Sequence, residues 1–155
     1  MAKKKESVSG ATLLTSLQKA GWFRKFSDRY QVGIPDFLGC YRGITFGIEL
    51  KAVGEIGEDG FAPAKTEHRF TDVQVRELKN ITDDGGVGLG VIICGKSLFW
   101  FTSEYINENG QVDCKQLIKD NKMLEKLDDT WDNFVLVLKF LWELRIKMLR
   151  EHVGP

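Results

Sequence analysis

Val32-Gly33-Ile34-Pro35-Asp36-Phe37-Leu38-Gly39-Cys40-Tyr41, then Arg42-Gly43, then Ile44-Thr45-Phe46-Gly47-Ile48-Glu49-Leu50-Lys51 is the stretch on which the reading of this chain turns. Two β-rich segments joined by an X-Gly turn predict a hairpin. Asp36 opens one strand straight after a proline, and Glu49 and Lys51 stand near the end of the other. Side chains alternate along a strand, so Glu49 and Lys51 share a face, and the hairpin can bring Asp36 to the same end of it. A Glu-x-Lys on an exposed strand is ordinarily a solvated pair. Here both strands are otherwise apolar and Gly39, Gly43 and Gly47 keep the hairpin slim, so ionisable residues at these positions point to a task. Two carboxylates placed together repel unless something compensates. A hard divalent cation such as Mg²⁺ does so, taking oxygen ligands and keeping waters for a phosphate. Asp36 and Glu49 are the candidate metal ligands, with the backbone carbonyl of Leu50 as a further one. Lys51 is the candidate for balancing charge on a phosphodiester attacked in line by an activated water.

Outward from the hairpin, Ser7 to Ala20 places Val8, Leu13, Leu14 and Leu17 at helical spacing, with Gly21 as a stop. Trp22 to Gln31 reads as an irregular strand. Ala52 to Arg69, rich in Gly, Pro and acids, reads as a loop. Thr71 is the expected N-cap of a helix to Thr82, with Val75, Leu78 and Ile81 on one face. Val87 to Cys94 suits a buried strand and Ser97 to Thr102 the next one. Cys114 to Leu127 suggests one or two short helices. Asp128 or Thr130 is expected to cap a long helix running to about Arg150. That helix holds too many apolar residues for one stripe, so burial on more than one side is expected. A bigger core or, by slight preference, a homodimer interface would supply it.

At 155 residues, 43% apolar, with ten Phe, four Trp and three Tyr, the chain is one α/β domain with a substantial core. No apolar run reaches the length of about 18 residues that a membrane helix needs. The N-terminal Met-Ala-Lys-Lys-Lys-Glu-Ser leads into no apolar signal segment, and Cys40, Cys94 and Cys114 suggest neither a disulfide framework nor a zinc site. A reducing cytosol is the expected home. The neutral net charge divides unevenly. Residues 1–51 hold nine Lys/Arg against four Asp/Glu, and the remainder hold thirteen against eighteen. A basic half can attract a polyanion, although ordinary surface scatter produces the same count.

Pro35-Asp36 followed by Glu49-Leu50-Lys51 resembles the signature of the PD-(D/E)xK nucleases, and the wider string is similar to the VRR-NUC branch, to related phage nucleases and to RecU-type Holliday junction resolvases. The likeness continues through Phe70-Thr71-Asp72-Val73-Gln74 and Gly85-Gly86-Val87-Gly88, covering about residues 6 to 102. It implies a restriction-endonuclease-like αβββαβ core with a mixed sheet over 1–105, and a helical C-terminal extension over 106–155 of the same domain. It implies that Asp36 and Glu49 bind Mg²⁺, with Mn²⁺ as substitute, that Lys51 is the catalytic lysine, and that Gln74 supports the site or contacts phosphate. Many members carry a further acid on the first helix, where Glu6 stands here, although Glu6 is equally readable as a helix-start residue. The implied activity is DNA endonuclease leaving a 5′-phosphate, on branched DNA or on flaps, single strands or duplex. The implied partners are DNA and a second copy of the chain, in a bacterial or phage-infected cytoplasm.

Arg24, Lys25, Arg29 and Arg42 flank the hairpin as candidates for DNA-backbone contacts. Lys65, His68 and Arg69 could reach phosphate or form a polar loop, and Lys3, Lys4 and Lys5 could form an arm on DNA. His152 and the acid pairs Asp83/Asp84 and Asp128/Asp129 have ordinary explanations. A non-catalytic DNA-binding module, or an interaction domain using the Trp/Phe-rich C-terminal helix, stands as the alternative of another class.

Overall fold

The hairpin forms where the sequence places it. β2 (Phe37–Tyr41) and β3 (Ile44–Val53) pair antiparallel from Tyr41 opposite Ile44 at the turn to Phe37 opposite Ile48 at the open end. Arg42 and Gly43 make the turn with φ of 48° and 85°, the doubly positive pattern whose twist matches the flanking strands. The computed structural model describes residues 2–26 and 33–153, with side chains from residue 10 to residue 151.

The other elements are α1 (Ala2–Ala20), β1 (Trp22–Lys25), α2 (Asp72–Asp83), β4 (Val87–Cys94), β5 (Ser97–Phe101), α3 (Cys114–Lys119), β6 (Met123–Glu125) and α4 (Phe134–Val153). The six strands lie in sequence order in one mixed sheet. Only β3 and β4 are parallel, because α2 carries the chain across between them. This is the expected α/β fold with a mixed sheet and a C-terminal helix.

Alternate residues of β3 face opposite layers. Phe46, Ile48 and Leu50 enter a core with Leu13 and Leu17 of α1 and Phe134, Val137, Leu138 and Leu141 of α4. Val53 faces the other way, into a second core built with Phe70, Ile92, Phe99, Phe101 and Leu117. Gly47 and Gly88 let α2 settle on that second face. A Cβ on Gly47 would strike the Ile81 side chain, and one on Gly88 would strike the Leu78 carbonyl. Two contacts fix α4 and its approach. Ser16 Oγ accepts a hydrogen bond from Trp131 N–H at 3.1 Å. Half-buried Arg145 donates from Nε to the Gly86 carbonyl at 3.0 Å and from its terminal nitrogen to the Gly86 and Thr82 carbonyls at the end of α2.

Several sequence expectations are corrected. The first helix begins at Ala2 rather than Ser7, and β1 ends at Lys25. The region 114–127 holds one short helix, within the expectation of one or two, but then a strand that was not expected. Asn121 at φ 57° follows the helix and turns the chain into β6. There Met123 packs on the second core and Leu124 on the first, so both faces are apolar and the period of two is hidden. The last helix starts at Phe134 and not at Asp128 or Thr130. Asp128, at φ 56°, and the bridge between Leu127 and Thr130 hold a tight turn, which drives Trp131 into the core with 1% of its surface exposed. Within one chain the core covers one side of α4, so a bigger core is not what the apolar excess of this helix serves. Leu136, Phe140, Leu144 and Met148 are exposed by 68, 48, 44 and 55%. Among the described residues no helix is long and apolar enough to cross a membrane.

The tight seat of α2 makes a direct prediction. Gly88→Ala should destabilise the protein by about 1–3 kcal/mol, because helix or strand must shift to admit one methyl group. Gly43→Asn should cost far less, since nothing lies near a Cβ there and Asn tolerates positive φ. Urea unfolding of the two variants beside the parent checks both.

Candidate active site

Asp36 sits at the bend that opens β2. Its Oδ2 accepts the Leu50 N–H at 2.8 Å, and its backbone carbonyl accepts the Phe26 N–H at 2.8 Å. The side chain therefore continues the ladder one step beyond Phe37, at the level of Glu49. Leu50 presents its carbonyl along the same strand edge as its N–H, which leaves that oxygen beside Asp36.

Glu49 points to the α2 face and is only 5% exposed. Gln74, in the first turn of α2, holds it. Gln74 Nε2 donates to Glu49 Oε1 at 2.9 Å, while Gln74 Oε1 accepts the Thr71 N–H at 2.9 Å. Thr71 Oγ1 in turn accepts the Gln74 N–H at 3.2 Å. One amide thus closes a capping box at the helix start and orients the carboxylate. Phe70 before the cap and Val75 beyond it both pack on the second core, which fixes the angle at which α2 arrives.

Lys51, two residues on, shares this face and is half-buried, its ammonium 5.5 Å from the centre of the Phe70 ring. Phe70, 3% exposed and edge-to-face with Phe101 at 5.5 Å, gives the lysine stem an apolar wall and the cation a ring face. Burial, and next the Asp36 carboxylate beside it, push the Glu49 carboxyl up to about 9, with Lys51 offsetting part of the rise. No ion pair among the described residues neutralises Glu49.

Two hard oxygen donors held together, Glu49 nearly dry and Asp36 half-buried, form an arrangement that a divalent cation would relieve, so the donor set fits Mg²⁺ or Mn²⁺. Asp36, Glu49 and the Leu50 carbonyl are the groups that would hold it. A cluster of three or more His, Cys, Asp or Glu is absent among the described residues, and waters would complete the shell. Glu6 lies on the backbone of α1, but its side chain, like all of Arg29, falls outside the described residues.

The remaining candidates divide by position. Arg24 is exposed on β1, its guanidinium 5.0 Å above the Trp22 ring. Lys25, on the opposite face, is exposed and lies near Gly10 of α1. Arg42 is at the hairpin turn, stacked on Tyr41 and Trp142 at 5.2 and 5.5 Å. That is about 20 Å along the strands from Asp36, so the fold does not bring it to the carboxylates. Lys65 and Arg69 are exposed beside the short turn Thr66–His68. His68 is 9% exposed and its Nδ1 lies 3.0 Å from the Pro63 carbonyl, so it braces the loop and does not reach outward. Phe70, Trp22 and Phe26 were not singled out from sequence. The apolar residue just before an N-cap was the available signal for Phe70, and the alternation of Trp22, Arg24 and Phe26 for the others.

No family model matches the chain, and no curated protein matches it. Among solved structures, the Holliday junction resolvase Hjc of the archaeal hyperthermophile Archaeoglobus fulgidus is similar in fold, with a TM-score of 0.53 at 16% identity, covering 72% of this chain and 88% of that one.

The buried carboxylate sets a pH dependence. Unfolded, Glu49 releases its proton near 4.5; folded, it keeps it to about 9. Between those values the folded state binds more protons, so the metal-free protein should lose stability as pH rises through that window. Thermal unfolding in EDTA should give a lower midpoint at pH 8.5 than at pH 5.5. Glu49→Gln should flatten the difference; an equal slope in that variant would refute the assignment.

Proposed function

We propose that this chain is a divalent-metal-dependent endodeoxyribonuclease of the PD-(D/E)xK type that hydrolyses phosphodiester bonds, with branched DNA as the first substrate to examine. The observation that carries the reading is the convergence of Asp36, Glu49 and Lys51 at one end of the hairpin, with Gln74 bound to Glu49. A non-catalytic module has no use for a buried carboxyl set against a second, partly exposed one, where ionising both is costly. The fold shared with a Holliday junction resolvase supports the reading and suggests the branched substrate.

Bound Mg²⁺ would supply charge neutralisation at the phosphate and an acidified water. The chain's own groups do the rest. Asp36 and Glu49 hold their oxygens on one side of the scissile phosphate. Gln74 keeps the Glu49 carboxylate in a single orientation, so little reorganisation accompanies the reaction. Lys51, on the Glu49 side, places an ammonium where negative charge grows as water attacks phosphorus and the P–O3′ bond breaks, leaving a 5′-phosphate. Arg24, Lys65 and Arg69 are exposed and would meet the DNA backbone. The absence of a disulfide among the described residues suits a reducing cytoplasm, bacterial or phage-infected.

The reading extends to a homodimer. Leu136, Phe140, Leu144 and Met148 form the exposed side of α4, and a helix face this apolar is a natural self-association surface. Two copies would supply two active sites for two strands.

The deciding assay is cleavage of labelled four-way-junction, flap, single-stranded and duplex DNA in Mg²⁺, Mn²⁺ or EDTA. Cutting should need the metal, and Asp36→Ala and Lys51→Ala should each lower it by at least about a hundredfold. Gln74→Leu should retain more activity but need more metal. DNA bound yet uncut under every condition would leave only the binding-module reading. Separately, Phe140→Glu with Leu144→Glu should shift the particle from dimer to monomer in sedimentation equilibrium.

A further inference from the structure

β1 is an edge strand of the sheet, and its two faces differ sharply. Phe23 is fully buried in the first core. Trp22 and Arg24 alternate onto the other face, and Phe26 follows in the same phase just past the strand end. Trp22 is 54% exposed, Phe26 is 37% exposed, and Arg24 is exposed with its guanidinium laid over the Trp22 ring. This is the face that carries Glu49 and Lys51 further into the sheet. There α2 packs over β3 and β4, and the outer strands lie beyond it, with Leu38 half-buried and Cys40 exposed. The register joins the two regions. Lys25 lies opposite Phe37 and Phe37 opposite Ile48, so Phe26, Asp36 and Glu49 occupy one cross-strand row. The Phe26 N–H bonded to the Asp36 carbonyl completes that row.

We infer that Trp22, Arg24 and Phe26 form a stacking platform for an unpaired segment of DNA running off the scissile phosphate. Two exposed aromatic rings about 13 Å apart along the strand, the first with the Arg24 guanidinium over one of its faces, match what a single strand offers: base faces to stack on the uncovered ring surface and phosphates to pair with a cation. A duplex hides its base faces within its own stack. The platform is continuous with the Asp36 row, so a strand lying on Phe26 is already beside the carboxylates. The placement rests on the nuclease reading above; the binding itself does not.

Binding is tested by fluorescence anisotropy in EDTA with three labelled probes: a short single-stranded oligonucleotide, an abasic strand of equal length and a blunt duplex. Trp22→Ala and Phe26→Ala should each weaken single-strand binding by about tenfold and leave the abasic strand unchanged. Trp22→Phe should retain most of the affinity while abolishing the part of the tryptophan quenching that the strand produces. Should Trp22→Ala melt early, Trp22→Met keeps the bulk and removes the ring face. Unchanged single-strand affinity in these variants overturns the inference, as does an equal loss on the abasic strand. So does a Trp22→Ala protein that changes oligomeric state but not DNA affinity, since a second copy would then be the occupant. Because no cleavage is needed, an inactive protein that stacks single strands through Trp22 keeps the platform and loses the nuclease. An active nuclease indifferent to Trp22 does the reverse.

Discussion

A carboxylate that is 5% exposed and faces a second carboxylate is the constraint on which this structure depends. Ionising both carboxyls together is costly, and the surrounding elements are arranged to hold the two in place. The Leu50 N–H takes one oxygen of Asp36 and the Gln74 amide takes one of Glu49. Each of those bonds also belongs to the scaffold. The first extends the β2–β3 ladder past its last pair, and the second is made by the residue that caps α2.

The dual use of Gln74 limits what can stand there. A glutamate would close the capping box equally well but would bring a further negative charge and no donor toward Glu49. An alanine would remove the capping acceptor of the Thr71 N–H and take the Gln74 donor from the buried Glu49 oxygen. Glutamine meets both needs because its amide has one accepting and one donating end. The orientation of that amide follows from the partners alone, since a backbone N–H on one side and a carboxylate on the other admit only one choice.

The parts of this fold that were legible in the sequence are those encoded by local signals. A turn glycine after Arg42 announces the hairpin, Thr71 announces α2, and the Asp36, Glu49, Lys51 spacing announces that these three side chains gather at one end of it. What stayed hidden depends on the packing of distant residues. β6 carries apolar side chains to both cores, so its alternation was lost. The start of α4 is set by Trp131 finding Ser16 across 115 residues. Thr71-x-x-Gln74 was visible as a pattern, but its grip on Glu49 required knowing where α2 lands. Trp22 and Phe26 alternated in plain view, yet only the register of β1 against β2 puts Phe26 in line with Asp36.

Arg145 gives α2 a second anchor. The guanidinium of this α4 residue gathers the Thr82 and Gly86 carbonyls at the last turn of α2 and beyond it, while Gln74 in the first turn holds Glu49. The helix between is a stiff rod about 18 Å long, clamped to α4 at one end and to the carboxylate pocket at the other. A push on the outer side of α4 therefore has a mechanical route to Glu49. Whatever comes to rest on Phe140 and Leu144 is one lever arm away from the geometry of Glu49.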